Sequence, residues 1–124
     1  MVNQVLLYLG SVLTIFWGTA HLFPTRSVVK GFGDISLDNR RIITMEWIIE
    51  GVSLIFIGVV VSGVTYIDYT SAVSKAVYLI SFAMLNTLSV ISLFTGFKVS
   101  FLPYKLCPVI FTTSSIVILL GCCL

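Results

Sequence analysis

An all-α bundle of four membrane-spanning helices is the fold this sequence predicts, and three observations predict it. Apolar residues make up 58% of the 124-residue chain and charged residues only 10%, against about 25% charged in an ordinary soluble domain. Mean hydropathy is +1.12. The apolar residues gather into four stretches of about 20 residues, the length a helix needs to cross about 30 Å of hydrocarbon. So little polar surface excludes a soluble enzyme and a disordered chain. It also excludes a nucleic-acid partner, because the seven Lys and Arg residues contain no run longer than Arg40-Arg41 that could track phosphates.

The first stretch, residues 4–23, stops at Pro24, which cannot continue a helix. Met1-Val2-Asn3-Gln4 carries no basic residue, and the stretch is too long for a signal-peptide core, so it is expected to remain as a span. The connection to the second stretch holds Arg26, Lys30, Arg40 and Arg41. In it Gly31 and Gly33 permit tight turns, and Ser36 or Asp38 can cap the next helix. Its apolar members Val28, Val29, Phe32, Ile35 and Leu37 predict a segment lying against the bundle or the headgroups.

The second stretch, residues 42–67, ends before Asp68-Tyr69-Thr70-Ser71; the third covers 75–97 and the fourth 104–124. Short connections predict antiparallel neighbours, and no residues remain for a second domain. Connections one and three carry six of the seven basic residues (Arg26, Lys30, Arg40, Arg41, Lys98 and Lys105), while the opposite side carries Lys75. This asymmetry predicts a plasma (inner) membrane protein of a prokaryote with those loops cytoplasmic and both termini outside. Tyr8, Tyr66, Tyr69 and Tyr78 are expected near the outer interface, and Trp47, Phe101 and Tyr104 near the inner one.

Cys107, Cys122 and Cys123 match neither a C-x-x-C motif nor a zinc spacing. Cys107 and Cys122, about 22 Å apart along one helix, are out of disulfide reach. They read as small hydrophobes, and no metal site is expected.

The residues that could carry chemistry lie inside the spans. Gly10, Thr14 and Gly18 recur every four residues, a small-residue ridge that lets a neighbouring helix approach. His21, the sole histidine, lies near the face of Trp17 and Gly18, so it is expected to point into the bundle. It either hydrogen-bonds a neighbour or handles protons or a ligand. A haem is disfavoured because no second histidine exists. Glu46 and Glu50 are four residues apart, and continuing their face gives Leu54, Gly58 and Ser62, so the two carboxylates are expected to turn inward. An ionised group at membrane depth costs a few kcal/mol and needs a partner, with His21 and Arg26 as candidates. Asn86, with Ser81, Ser89 and Ser92, and the cluster Thr112, Thr113, Ser114 and Ser115 act as packing groups, or they line a narrow cavity closed by His21 and the glutamates.

The run Phe16-Trp17-Gly18-Thr19-Ala20-His21-Leu22-Phe23-Pro24 resembles the G-x-x-H-F-x-x-P run of small DoxX-like four-helix membrane proteins, with its proline one position early. Glu50-Gly51-Val52-Ser53-Leu54-Ile55-Phe56-Ile57-Gly58 is similar to that family's second helix, and Asn86 falls where the third often has asparagine. The resemblance covers about a third of the chain. It implies a four-helix bundle, sometimes associated with quinone-linked redox complexes.

Three functions are therefore expected, in this order. The first is a membrane module binding a small hydrophobic molecule or quinone, or the membrane subunit of an oxidoreductase. His21, Glu46 and Glu50 would then exchange protons, with Trp17 and Trp47 packing a ring. The second is a non-catalytic assembly subunit, which would dock its partner through the Gly10-Thr14-Gly18 ridge or the Gly58/Ser62 face. The third is a channel or proton-coupled transporter protomer, which needs Asn86 and the hydroxyls to form a continuous polar path. The bilayer is the partner in every case, with a homodimer or larger membrane complex expected.

Overall fold

The computed structural model describes residues 2–124, which form five α-helices and no strand. These are α1 (Gln4–Leu22), α2 (Thr25–Gly31), α3 (Leu37–Asp68), α4 (Ala72–Phe94) and α5 (Leu102–Cys123), with a 3₁₀ turn at Gly96–Lys98 before α5. Helices α1, α3, α4 and α5 are long and apolar enough to cross a membrane, so the chain is an integral membrane protein built as an all-α four-helix bundle.

The helix boundaries differ from the apolar stretches because polar caps extend the helices beyond them. The second long helix starts at Leu37 rather than near residue 42: the Ser36 hydroxyl accepts the Asn39 backbone N–H at 3.2 Å, and Asp38 favours the first turn. Arg40 and Arg41 are thus helical rather than part of a loop. The third starts at Ala72, capped by Ser71, and its end at Phe94 gives way to the 3₁₀ turn. The fourth starts at Leu102 with Pro103 in its first turn, where a missing N–H breaks no helical bond.

The long helices form a ring in the order α1, α3, α4, α5, each antiparallel to its neighbours. One end holds both termini and the α3–α4 turn; the other holds α2 and the 3₁₀ turn. Helix α1, at 19 residues, is about 28 Å long and just spans a hydrocarbon core, whereas α3, at 32 residues, is about 48 Å long. The excess of α3 projects at the α2 end, and α2 packs against it through the buried Val29.

Within the span, α1 is pressed against its neighbours. A Cβ on Gly18 would stand 2.7 Å from the Gly51 carbonyl oxygen and 2.9 Å from the Ile55 nitrogen, and one on Gly58 would stand 2.6 Å from the Ser11 carbonyl oxygen. On the other side of α1, Gly10 meets Ile118, and Gly121 meets Leu7. The Gly10-Thr14-Gly18 ridge and the Gly58 face are therefore occupied inside one bundle.

Most polar groups in this region are tied up locally. Ser62 donates to the Ser11 hydroxyl at 2.8 Å, and Thr14 to the Gly10 carbonyl at 2.8 Å. Tyr78 is not an interface anchor but is fully buried, its hydroxyl 3.0 Å from that of Thr65. A buried phenol needs such a partner. Asn86 donates to the Phe82 carbonyl of its own helix, Thr113 to Val109 and Ser115 to Thr112, while the Ser89 and Thr112 hydroxyls meet across α4 and α5 at 2.6 Å. Ser89 also donates to the Pro108 carbonyl of α5 at 3.0 Å, and the buried Ser114 hydroxyl has no partner among the described residues. These groups thus mostly serve helix carbonyls and the α4–α5 contact, where a polar cavity lining was one expectation.

Candidate ligand site at the α2 end

His21 lies one residue before the end of α1, and Trp47 faces it from α3. The indole stacks on the imidazole with ring centroids 3.7 Å apart and planes at 17°. The Trp47 Nε1–H also donates to the His21 backbone carbonyl at 2.8 Å. That carbonyl lies in the last turn of α1, where no N–H four residues on continues the helix. One indole thus fixes both the ring and the backbone of His21.

The position of Trp47 explains why the two carboxylates do not turn inward together. The buried stripe of α3 is Gly51, Leu54, Gly58, Val61 and Thr65, stepping by three and four. One turn further back it lands on Trp47. A constant step of four drifts about 40° per turn around a helix, so Glu50 falls at the edge of the stripe and Glu46 beyond it. The Glu50 side chain is 44% exposed, and its Oε2 lies 3.5 Å from His21 Nε2, whose side chain is only 6% exposed. Glu46 is exposed and, among the described residues, in no ion pair. Both carboxylates border a shallow groove of about 360 Å³ with Phe32, Trp47 and Tyr104. Glu50 is 18 residues from Asp68, about 27 Å along the axis, which places it at the boundary of the hydrocarbon rather than at its centre.

On the inner side of His21 is a cavity of about 150 Å³ between α1, Trp47 and the start of α5. Trp17, Ala20, Pro24, Phe101, Pro103 and Cys107 are among its walls, which are almost wholly apolar. A dry cavity of roughly this size admits one aromatic ring. Two buried nitrogens in its wall residues, Trp17 Nε1 and His21 Nε2, have no hydrogen-bond partner, and buried polar groups are rarely left so. Pro108, one turn past Tyr104, cannot donate to the Tyr104 carbonyl, so that carbonyl also lacks its helical donor.

Of the candidates read from the sequence, His21, Trp17, Trp47 and Glu50 come together here, with Glu46 on the adjoining groove. Arg26 faces a different cleft, and Asn86 lies on α4 bonded to its own helix. Tyr104, Phe101 and Cys107 belong to the site but read from sequence only as anchors or a small hydrophobe. Tyr104 borders both the cavity and the groove, with its ring 5.7 Å from Trp47 and 6.0 Å from Phe101. The signal that could have marked them is Pro103 and Pro108 flanking Tyr104 and Cys107, two prolines within two turns of a span. Among the described residues no group of three or more His, Cys, Asp or Glu could hold a metal ion.

Compared with known proteins, the chain matches no family model, no curated protein and no solved structure.

Proposed function

We propose that the protein is a membrane module that binds a single-ring hydrophobic molecule carrying hydrogen-bond acceptors, a quinone headgroup being the best fit, in the cavity walled by Trp17 and His21. The observation that carries this is the place of His21. Its imidazole lies in the wall of a ring-sized apolar cavity, and its Nε2 is 3.5 Å from Oε2 of Glu50, which borders the adjoining groove. The Trp17 Nε1–H, without a partner among the described residues, offers a donor to a carbonyl in the cavity, and Glu50, 3.5 Å from His21 Nε2, holds the imidazole from the groove side. Trp47 holds the ring in register. The stretch resembling DoxX-like proteins contains Trp17 and His21, which supports the same ligand class. Six of the seven basic residues at the α2 end support placing this site at the cytoplasmic face.

The test is equilibrium binding of a radiolabelled short-chain benzoquinone to the detergent-solubilised chain. Saturable one-site binding is expected, weakened about tenfold in His21→Asn and in Trp17→Phe, and less in Glu50→Gln, which keeps a polar group beside His21. Binding unchanged in both His21→Asn and Trp17→Phe overturns the proposal.

A further inference from the structure

A second cleft lies on the outer side of α2, away from the His21 cavity. It has a volume of about 530 Å³ and is bordered by Arg26 and Lys30 of α2 and by Arg40 and Thr44 of α3. The geometry points to a binding site for the phosphate group of an anionic phospholipid.

Arg26 and Lys30 are four residues apart, so they share one face of α2, and Arg40 and Thr44 share one face of α3 in the same way. The capped start of α3 creates this second face: if the helix began near residue 42, Arg40 would belong to a loop. None of the three cations is in an ion pair among the described residues, and Asp34 is the single acid on the rim. The cleft therefore holds a net excess of two positive charges with no partner among the described residues. Arginine offers a planar fork of donors that matches phosphate oxygens, and lysine adds a point charge.

Its depth favours a lipid over a free anion. The cleft lies beside the part of α3 that projects beyond the hydrocarbon, at the level of headgroups. Basic pockets at that level are suited to lipid phosphates. The opposite face of α2 supplies Ser27, Val28 and Gly31 to a mainly apolar cleft with Val99 and Phe101. Helix α2 is thus basic on one face and apolar on the other, as a helix lying among phospholipids would be.

Native mass spectrometry of the full chain, released from detergent micelles holding equal phosphatidylglycerol and phosphatidylcholine, tests this. Wild type is expected to retain phosphatidylglycerol about tenfold over phosphatidylcholine, and Arg26→Gln/Lys30→Gln/Arg40→Gln to lose that preference. These side chains are exposed, so the substitutions leave the core intact. The charge-matched Arg41→Gln/Lys75→Gln/Lys98→Gln variant is expected to keep the preference. Equal loss in both variants, or loss in neither, overturns the site. Inorganic phosphate alone binding as tightly as the lipid overturns the lipid as the source of the phosphate group.

Discussion

At the end that holds the termini, α1 and α5 are close enough that the Asn3 backbone N–H donates to the Gly121 carbonyl at 2.7 Å, and a methyl group on Gly121 would stand 2.9 Å from Leu7. At the α2 end the same two helices are held apart by Trp17 on α1 and Tyr104 and Cys107 on α5, with a cavity between them. Small residues close the bundle at one end, and large rings prop it open at the other. The difference decides which end has room for a ligand. Close approach of backbones gives dispersion contacts and leaves no room, whereas the rings at the α2 end leave a cavity, with Trp17 Nε1 and His21 Nε2 buried and without a hydrogen-bond partner among the described residues. The two regions should therefore respond differently to substitution: one through stability alone, the other through stability and ligand binding together.

The largest effect is expected where backbone meets backbone. In Gly18→Leu the new side chain meets the Gly51 carbonyl and the Ile55 nitrogen, neither of which can rotate away. A destabilisation of about 3 kcal/mol, the upper end for overpacking, is expected, seen as loss of the monodisperse species in detergent. Gly63 lies on the same helix as Gly51 with nothing within 4 Å of its would-be Cβ. Gly63→Ala should shift stability by no more than about 1 kcal/mol, toward the folded state. If both substitutions are tolerated alike, the closed region is not held by glycine contacts.

An intermediate effect is expected at the open end. Trp47→Leu removes the stack on His21 and the hydrogen bond to its carbonyl, together worth about 2 kcal/mol. Denaturation with sodium dodecyl sulfate in mixed micelles, followed by circular dichroism, measures this. Trp47→Phe keeps an aromatic face but not the N–H, and should lose about half as much. Unlike Gly18→Leu, both variants should also weaken quinone binding, because His21 is no longer held. Stability lost without a change in binding would make Trp47 a packing residue only.

Much of this contrast was legible in the sequence, and the part that was not has a physical reason. Four spans, the small-residue ridge and an inward His21 follow from periodicity along single helices. Gly10 and Gly18 could be recognised as close-approach positions, but not which helix each would meet. The inward turn of Glu46 was misread because a step of four follows a helix face for only one or two turns before drifting off it. The capped start of α3, the stack of Trp47 on His21 and the part played by Tyr104 depend on pairings between helices that no local pattern encodes. Tyr78 illustrates the same limit, since an aromatic near a span end resembles an interface anchor until Thr65 on the neighbouring helix is placed beside its hydroxyl.

The smallest effect belongs to the polar contacts of the closed region. Ser62 and Ser11 share a hydroxyl hydrogen bond of 2.8 Å between α3 and α1, one turn from the Gly58 contact. Ser62→Ala removes the donor, but the Ser11 hydroxyl still donates to the Tyr8 carbonyl of its own helix. No buried donor is stranded, so the loss should be close to the average interhelical hydrogen bond in a membrane, about 0.6 kcal/mol. The same mixed-micelle unfolding experiment resolves that figure, with quinone binding expected to stay at the wild-type value. Ser62→Ala and Gly18→Leu act on the same seam, so their ratio tests what holds it. A loss in Ser62→Ala approaching that of Gly18→Leu would mean that α1 and α3 are joined by hydrogen bonding, with the close approach at Gly18 a consequence rather than a cause.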